Sequence, residues 1–272
     1  TRYWRDWSSD VCSSDLREEN CRVGILDTFT KLLMVTTSKA CSGEHTNIRF
    51  TPSDDDDDDT KMDDSEDGSS FVVVDLRTKY APALVKGCEK ILAVKKGGGE
   101  ERSKSHALSL LSTLCKAPGG IGGQEEITSV FQHVQTFLAD KEDADKDHHH
   151  KETTSKALRL DALSLVVAML ESNNHNPVHI QNGLSSALLP QLCSAVKEQW
   201  YKVIAEALRG LAAVPKFFST DDAPKEQADA VASQLYSSVE PLLAAHDVDQ
   251  EIKECALMAT ASLLSDLHEN LT

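Results

Sequence analysis

Aromatic residues are scarce in this 272-residue chain: they make up 5% of it, as seven phenylalanines, four tyrosines and three tryptophans. A core with so few large rings must come from aliphatic side chains, and small residues at the contacts suit closely stacked helices. Cations are also short, with 28 Lys and Arg against 44 Asp and Glu and a formal net charge of −16. Phosphate attraction therefore cannot supply affinity for nucleic acid or for an anionic membrane. Apolar runs stay well below the ~18 residues that a membrane span needs. The seven cysteines (Cys12, Cys21, Cys41, Cys88, Cys115, Cys193 and Cys255) stand singly, with no CxxC pair. That spacing suits neither a zinc site nor a disulfide framework. Cys193, inside Leu192-Cys193-Ser194-Ala195-Val196, reads as a small hydrophobe. Unpaired thiols of this kind point to a reducing compartment, cytoplasm or nucleus.

Signatures of catalysis are missing too. There is no nucleophile elbow, P-loop, HExxH or dinucleotide fingerprint. Gly97-Gly98-Gly99 and Gly119-Gly120-Ile121-Gly122-Gly123 follow helical patterns rather than strands, so they read as helix stops and not as phosphate cradles. His106, His133, His179, His246 and His268 fall on different segments with no common spacing, and no triad can be assembled from them. The expectation is a chain with no catalytic, cofactor or metal residues, no small-molecule substrate, and proteins as its partners. An acidic surface favours basic partners, although such charge also simply keeps a protein soluble.

Three stretches fall outside any periodic pattern. Residues 1–16, beginning at Thr1, carry two of the three tryptophans without helical or strand period. From Trp7 to Leu16 they resemble one reading frame of a short-read sequencing adapter, and they are left out of fold reasoning. Residues 39–70 hold Asp54 to Asp59, then Asp63, Asp64, Glu66 and Asp67, with Lys61 as the one lysine among them. So many like charges cannot bury a face, which predicts a disordered acidic loop. The run lacks the alternating ligands, glycine turn and distal Glu of an EF-hand. Residues 141–151, with His148-His149-His150 beside Asp145 and Asp147, read as a second solvated loop, with no groups evident that would orient the imidazoles toward a metal.

What remains is helical. Apolar residues recur at i, i+3, i+4 and i+7 over 19–36, 75–94, 101–116, 124–139, 154–171, 178–197, 200–214, 226–245 and 249–268. Phe71-Val72-Val73-Val74 is the one β-like run, and it leads straight into a helix. Alternate helices open with a basic residue followed three positions later by a small or aliphatic one. The pairs are Arg22 with Ile25, Lys104 with Ala107, Arg159 with Ala162, Lys202 with Ala205, and Lys253 with Ala256. The last four basic residues are 55, 43 and 51 positions apart. With allowance for loops, this fits the ~40–47-residue hairpin period of HEAT and armadillo arrays. Pro82, Pro190 and Pro241 interrupt the intervening helices, and the latter two each precede the next basic residue by 12 positions. Proline removes one backbone bond and kinks a helix.

The expected fold is all-α: a HEAT-repeat, armadillo-like right-handed superhelical solenoid of about four and a half hairpins. Residues 17–38 form an orphan second helix, and 71–272 form four hairpins (71–117, 121–172, 177–215 and 224–270). Each hairpin has apolar flanks that only its neighbours can cover. The basic residue of each second helix should lay its stem over the groove between repeats and meet a carboxylate or loop carbonyl of an adjacent repeat.

Four blocks carry a family resemblance: Arg17-Glu18-Glu19-Asn20, Leu160-Asp161-Ala162-Leu163-Ser164, Tyr201-Lys202-Val203-Ile204-Ala205-Glu206-Ala207-Leu208 and, most specifically, Asp247-Val248-Asp249-Gln250-Glu251-Ile252-Lys253-Glu254-Cys255-Ala256. In order and spacing they resemble an internal stretch of the N-terminal half of the cullin-associated, neddylation-dissociated family of HEAT-repeat exchange factors. The resemblance implies a superhelix that wraps a cullin lacking its ubiquitin-like modifier, together with its RING subunit, and regulates assembly of cullin–RING (SCF) ubiquitin ligases by receptor exchange. It carries over no cullin-contacting residue, because the matching blocks are those that hold hairpins together. An alternative class is the nuclear transport receptor, an acidic HEAT superhelix for basic cargo; the Asp54–Asp59 run would suit it and the Asp247–Ala256 block would not.

Overall fold

The computed structural model describes residues 22–31, 33, 68–94, 100–117, 120–139, 156–172, 177–184, 188–219 and 224–267. Residues 1–16, most of 39–70, and 141–151 lie outside them, so the readings of an adapter-like start, an acidic loop and a histidine loop do too. Among the described residues there is no strand. The helices are α1 (22–31), α2 (Gly68–Ala93), α3 (Glu100–Lys116), α4 (Gln124–Leu138), α5 (Lys156–Glu171), α6 (Pro177–Gly183), α7 (Leu189–Ala195), α8 (Tyr201–Ala213), α9 (Lys225–Ala244) and α10 (Gln250–Leu267). A short 3-10 turn, Pro215–Phe217, follows α8.

Two departures from the sequence reading stand out. The helix of the first hairpin starts at Gly68, so residues 68–70, assigned to the acidic loop, and the β-like run at 71–74 are helical. β-Branched residues cost a helix only a few tenths of a kcal/mol each, and α2 packs against α3 and α4. Over the single helix expected at 178–197 the structure describes two segments, α6 and α7, and residues 185–187 between them lie outside the described residues. Pro190 lies in the first turn of α7, where its missing N–H is not needed and where it cannot bond back into the preceding turn. In α2 and α9, by contrast, Pro82 and Pro241 sit inside continuous helices. All three prolines are exposed.

The packing has two layers. Within hairpins α2 packs on α3, α4 on α5, α7 on α8 and α9 on α10. Between hairpins the second helices stack in a row, α3 on α5, α5 on α8 and α8 on α10, while α2–α4, α4–α6, α4–α7 and α7–α9 contacts form the other layer. α1 extends the row at the other end: its Leu26 belongs to the common core and its Asp27 lies within the electrostatic reach of His106 of α3. This is an all-α solenoid of four hairpins plus an orphan second helix.

Burial follows the repeat. Ala107, Ala162, Ala205 and Ala256, the small residues of the repeated pattern, are all 0% exposed. A methyl group at these points lets neighbouring backbones approach closely, as helix packing requires. Ile25 departs from the pattern, since in α1 the buried positions are Val23, Leu26 and Thr30. Central α5 buries Leu158, Ala162, Leu163 and every residue from Leu165 to Leu170, because it has second helices on both flanks and α4 behind it. A helix apolar on nearly all sides belongs inside a core.

Glycines make two contacts possible. A Cβ on Gly183 would come within 2.3 Å of the Phe131 ring, so only glycine lets α6 lie this close to α4. Gly120 and Gly122 take positive φ (57° and 120°) in the turn that ends α3 and positions buried Ile121. The Gly123 N–H then donates to Glu126 Oε2 at 3.1 Å, a reach-back that caps α4 where acidic groups favour the positive end of the helix.

Candidate protein-binding surface

The row of second helices presents polar side chains that also join one repeat to the next. Ser105 of α3 donates to Asp161 Oδ2 of α5 at 2.5 Å. Burial pushes the Asp161 carboxyl above the usual carboxylate range, against the lowering effects of the Ser105 bond and of His106. Arg159 of α5 donates to the Leu138 carbonyl at the end of α4 (3.2 Å) and pairs with Glu198, in the joint before α8. Arg209 of α8 reaches Glu206 at 2.7 Å and Glu251 of α10 at 2.6 Å. Those two carboxylates hold the guanidinium above its ordinary value. Among the described residues, polar ties thus join α3 to α5, α5 to the joint before α8, and α8 to α10.

The role expected of the repeated basic residues holds in part. Arg159 meets the Glu198 carboxylate of the adjacent hairpin, as the pattern predicts, while the Leu138 carbonyl it also reaches belongs to its own hairpin. Lys253 Nζ donates to the His246 carbonyl at 2.8 Å, which belongs to its own hairpin and not to an adjacent repeat. Lys202 is exposed, with its ammonium 5.9 Å from the Tyr201 ring centroid. Both residues lie in the first turn of a helix flanked on both sides; Arg159 is on a part-buried side of α5, whereas Lys202 is on an exposed side of α8. Arg209 and Ser105 were missed because they stand outside the repeated register, and their partners lie 42 and 56 positions away.

Below the row, Lys216 sits in the 3-10 turn that touches α6, α8 and α10. Burial lowers its ammonium from the ordinary lysine value, opposed by the carboxylates of Glu171 and Asp266 near the ends of α5 and α10. The buried thiols are inert in character: burial raises Cys115, Cys193 and Cys255. His106, His133, His179 and His246 are on four different elements. Among the described residues no three His, Cys, Asp or Glu side chains gather as metal ligands, and no helix is long and apolar enough to cross a membrane. At the far end of the row α10 exposes Leu257, Met258 and Leu264 at 59%, 59% and 54%, opposite its buried Ile252, Cys255, Ala256, Ala259 and Leu263.

Residues 123–260, just over half of the chain, match the family described as CAND1-like, TPR repeats. The chain belongs to this CAND1-like family. The matched residues run from the cap of α4 into α10, so they cover three of the four hairpins. Among similar proteins, cullin-associated NEDD8-dissociated protein 1 of Dictyostelium discoideum is 23% identical over 255 residues, 92% of this chain and 16% of that protein. The Drosophila melanogaster protein of the same name is 24% identical over 260 residues, 94% of this chain and 18% of that protein. This chain therefore spans less than a fifth of the length of these CAND1 relatives. A solved designed armadillo repeat protein in complex with the peptide (KR)4 superposes with a TM-score of 0.47 at 15% identity, over 74% of this chain and 77% of that one. A second, computationally designed armadillo repeat protein gives 0.46 at 15% identity, over 75% and 80%.

Proposed function

We propose that this CAND1-like stretch is a protein-binding part of a cullin-wrapping assembly and exchange factor, acting as a scaffold and not as a catalyst. Its partner is a cullin lacking the ubiquitin-like modifier, held with its RING subunit, in the cytoplasm and nucleus. The observation that carries the reading is the family match over residues 123–260. The geometry is compatible with it: second helices stacked in a row with polar side chains between them make an extended surface rather than a reaction pocket. In this reading α8 and α10 help to line the side that embraces the cullin. The stretch alone does not exchange receptors, because contacts are spread along the whole superhelix.

The test uses the longer protein that contains this stretch, with and without α6 to α10 (residues 177–267). Binding to unmodified cullin should weaken on deletion, chiefly through faster dissociation, and conjugation of the modifier to the cullin should exclude the intact protein. Unchanged cullin affinity and an unchanged exchange rate in the deleted protein would overturn the assignment.

A further inference from the structure

We draw no further inference here: the strongest candidate, the exposed apolar face of α10 formed by Leu257, Met258 and Leu264 at the end of the row of second helices, is an unpartnered surface, and nothing in the structure shows what covers it.

Discussion

Ser105 Oγ and Asp161 Oδ2 lie 2.5 Å apart across the α3–α5 joint, so a hydroxyl on one repeat is the hydrogen-bond donor that a half-buried carboxylate on the next requires. Burial raises the Asp161 pKa despite this bond. A carboxyl whose folded pKa is raised costs stability when ionised, and that cost is relieved as pH falls through the folded value towards the unfolded ~3.9. Asp161→Asn keeps an acceptor for Ser105 and removes the charge. Thermal melts should show the variant at least as stable as the parent at pH 7, with the advantage shrinking as pH falls through the raised folded pKa and gone below ~3.9, where the parent carboxyl is neutral in both states. A variant clearly less stable than the parent at pH 7 would mean that the ionised carboxylate is a net stabiliser of the joint.

Arg159 and Glu198 are each only 16% exposed, while Arg209 and Glu251 are 39% and 43% exposed. Truncating one member of a largely desolvated pair strands the other charge. Glu198→Ala should therefore cost ~1–3 kcal/mol, below the full cost of a completely buried pair. Glu251→Ala should cost no more than ~0.2–1 kcal/mol, and less still at high salt. Denaturant unfolding at low and high ionic strength separates the two. Equal losses at both sites would contradict the burial argument.

Leu163 and Leu208 are both 0% exposed, on the second helices of consecutive hairpins. Leu163→Asp or Leu208→Asp would bury an unpaired carboxylate and should be among the most destabilising single changes, more than ~4 kcal/mol. Circular dichroism melts check this directly: either variant melting like the parent would show that the wrong side of α5 or α8 has been taken as internal.

Gln181 on α6 is buried, and its Nε2 has no hydrogen-bond partner among the described residues. An unmade bond of this kind costs ~1–3 kcal/mol. Gln181→Met keeps the volume and removes the amide, so it should raise stability by about 1 kcal/mol, or roughly 2–4 °C in Tm for a domain of this size. A lowered Tm would indicate that the amide is satisfied in solution.

Gly183→Ala should act the other way. The helical preference for alanine is worth up to ~1 kcal/mol, but the added methyl would overlap the Phe131 ring in a packed core, where overpacking costs ~1–3 kcal/mol. The expected result is a lower Tm that the double change Gly183→Ala, Phe131→Leu partly restores. A higher Tm in the single variant would mean that α6 shifts freely on α4.

The repeat was legible because it is local. A basic residue three positions before a small one marks the start of a helix face, and Ala107, Ala162, Ala205 and Ala256 duly fall on the inside. The family followed from blocks that hold hairpins together, such as 247–256, which lies inside the matched region. The ties between repeats were not legible. Ser105 with Asp161 and Arg209 with Glu251 are joined by the pitch of the stack, which no local pattern encodes. Pro190 was legible as a mark at the start of α7, but the close approach of Gly183 to Phe131 is a tertiary matter. Ile25 misled because an orphan helix with one covered flank turns Leu26, not Ile25, inward.

The unequal exposure of the ties has a consequence in salt. A charge pair shielded from solvent keeps its strength when ions are added, and one open to solvent does not. Added salt should therefore loosen the Arg209–Glu251 tie between α8 and α10 more than the shielded Arg159–Glu198 tie.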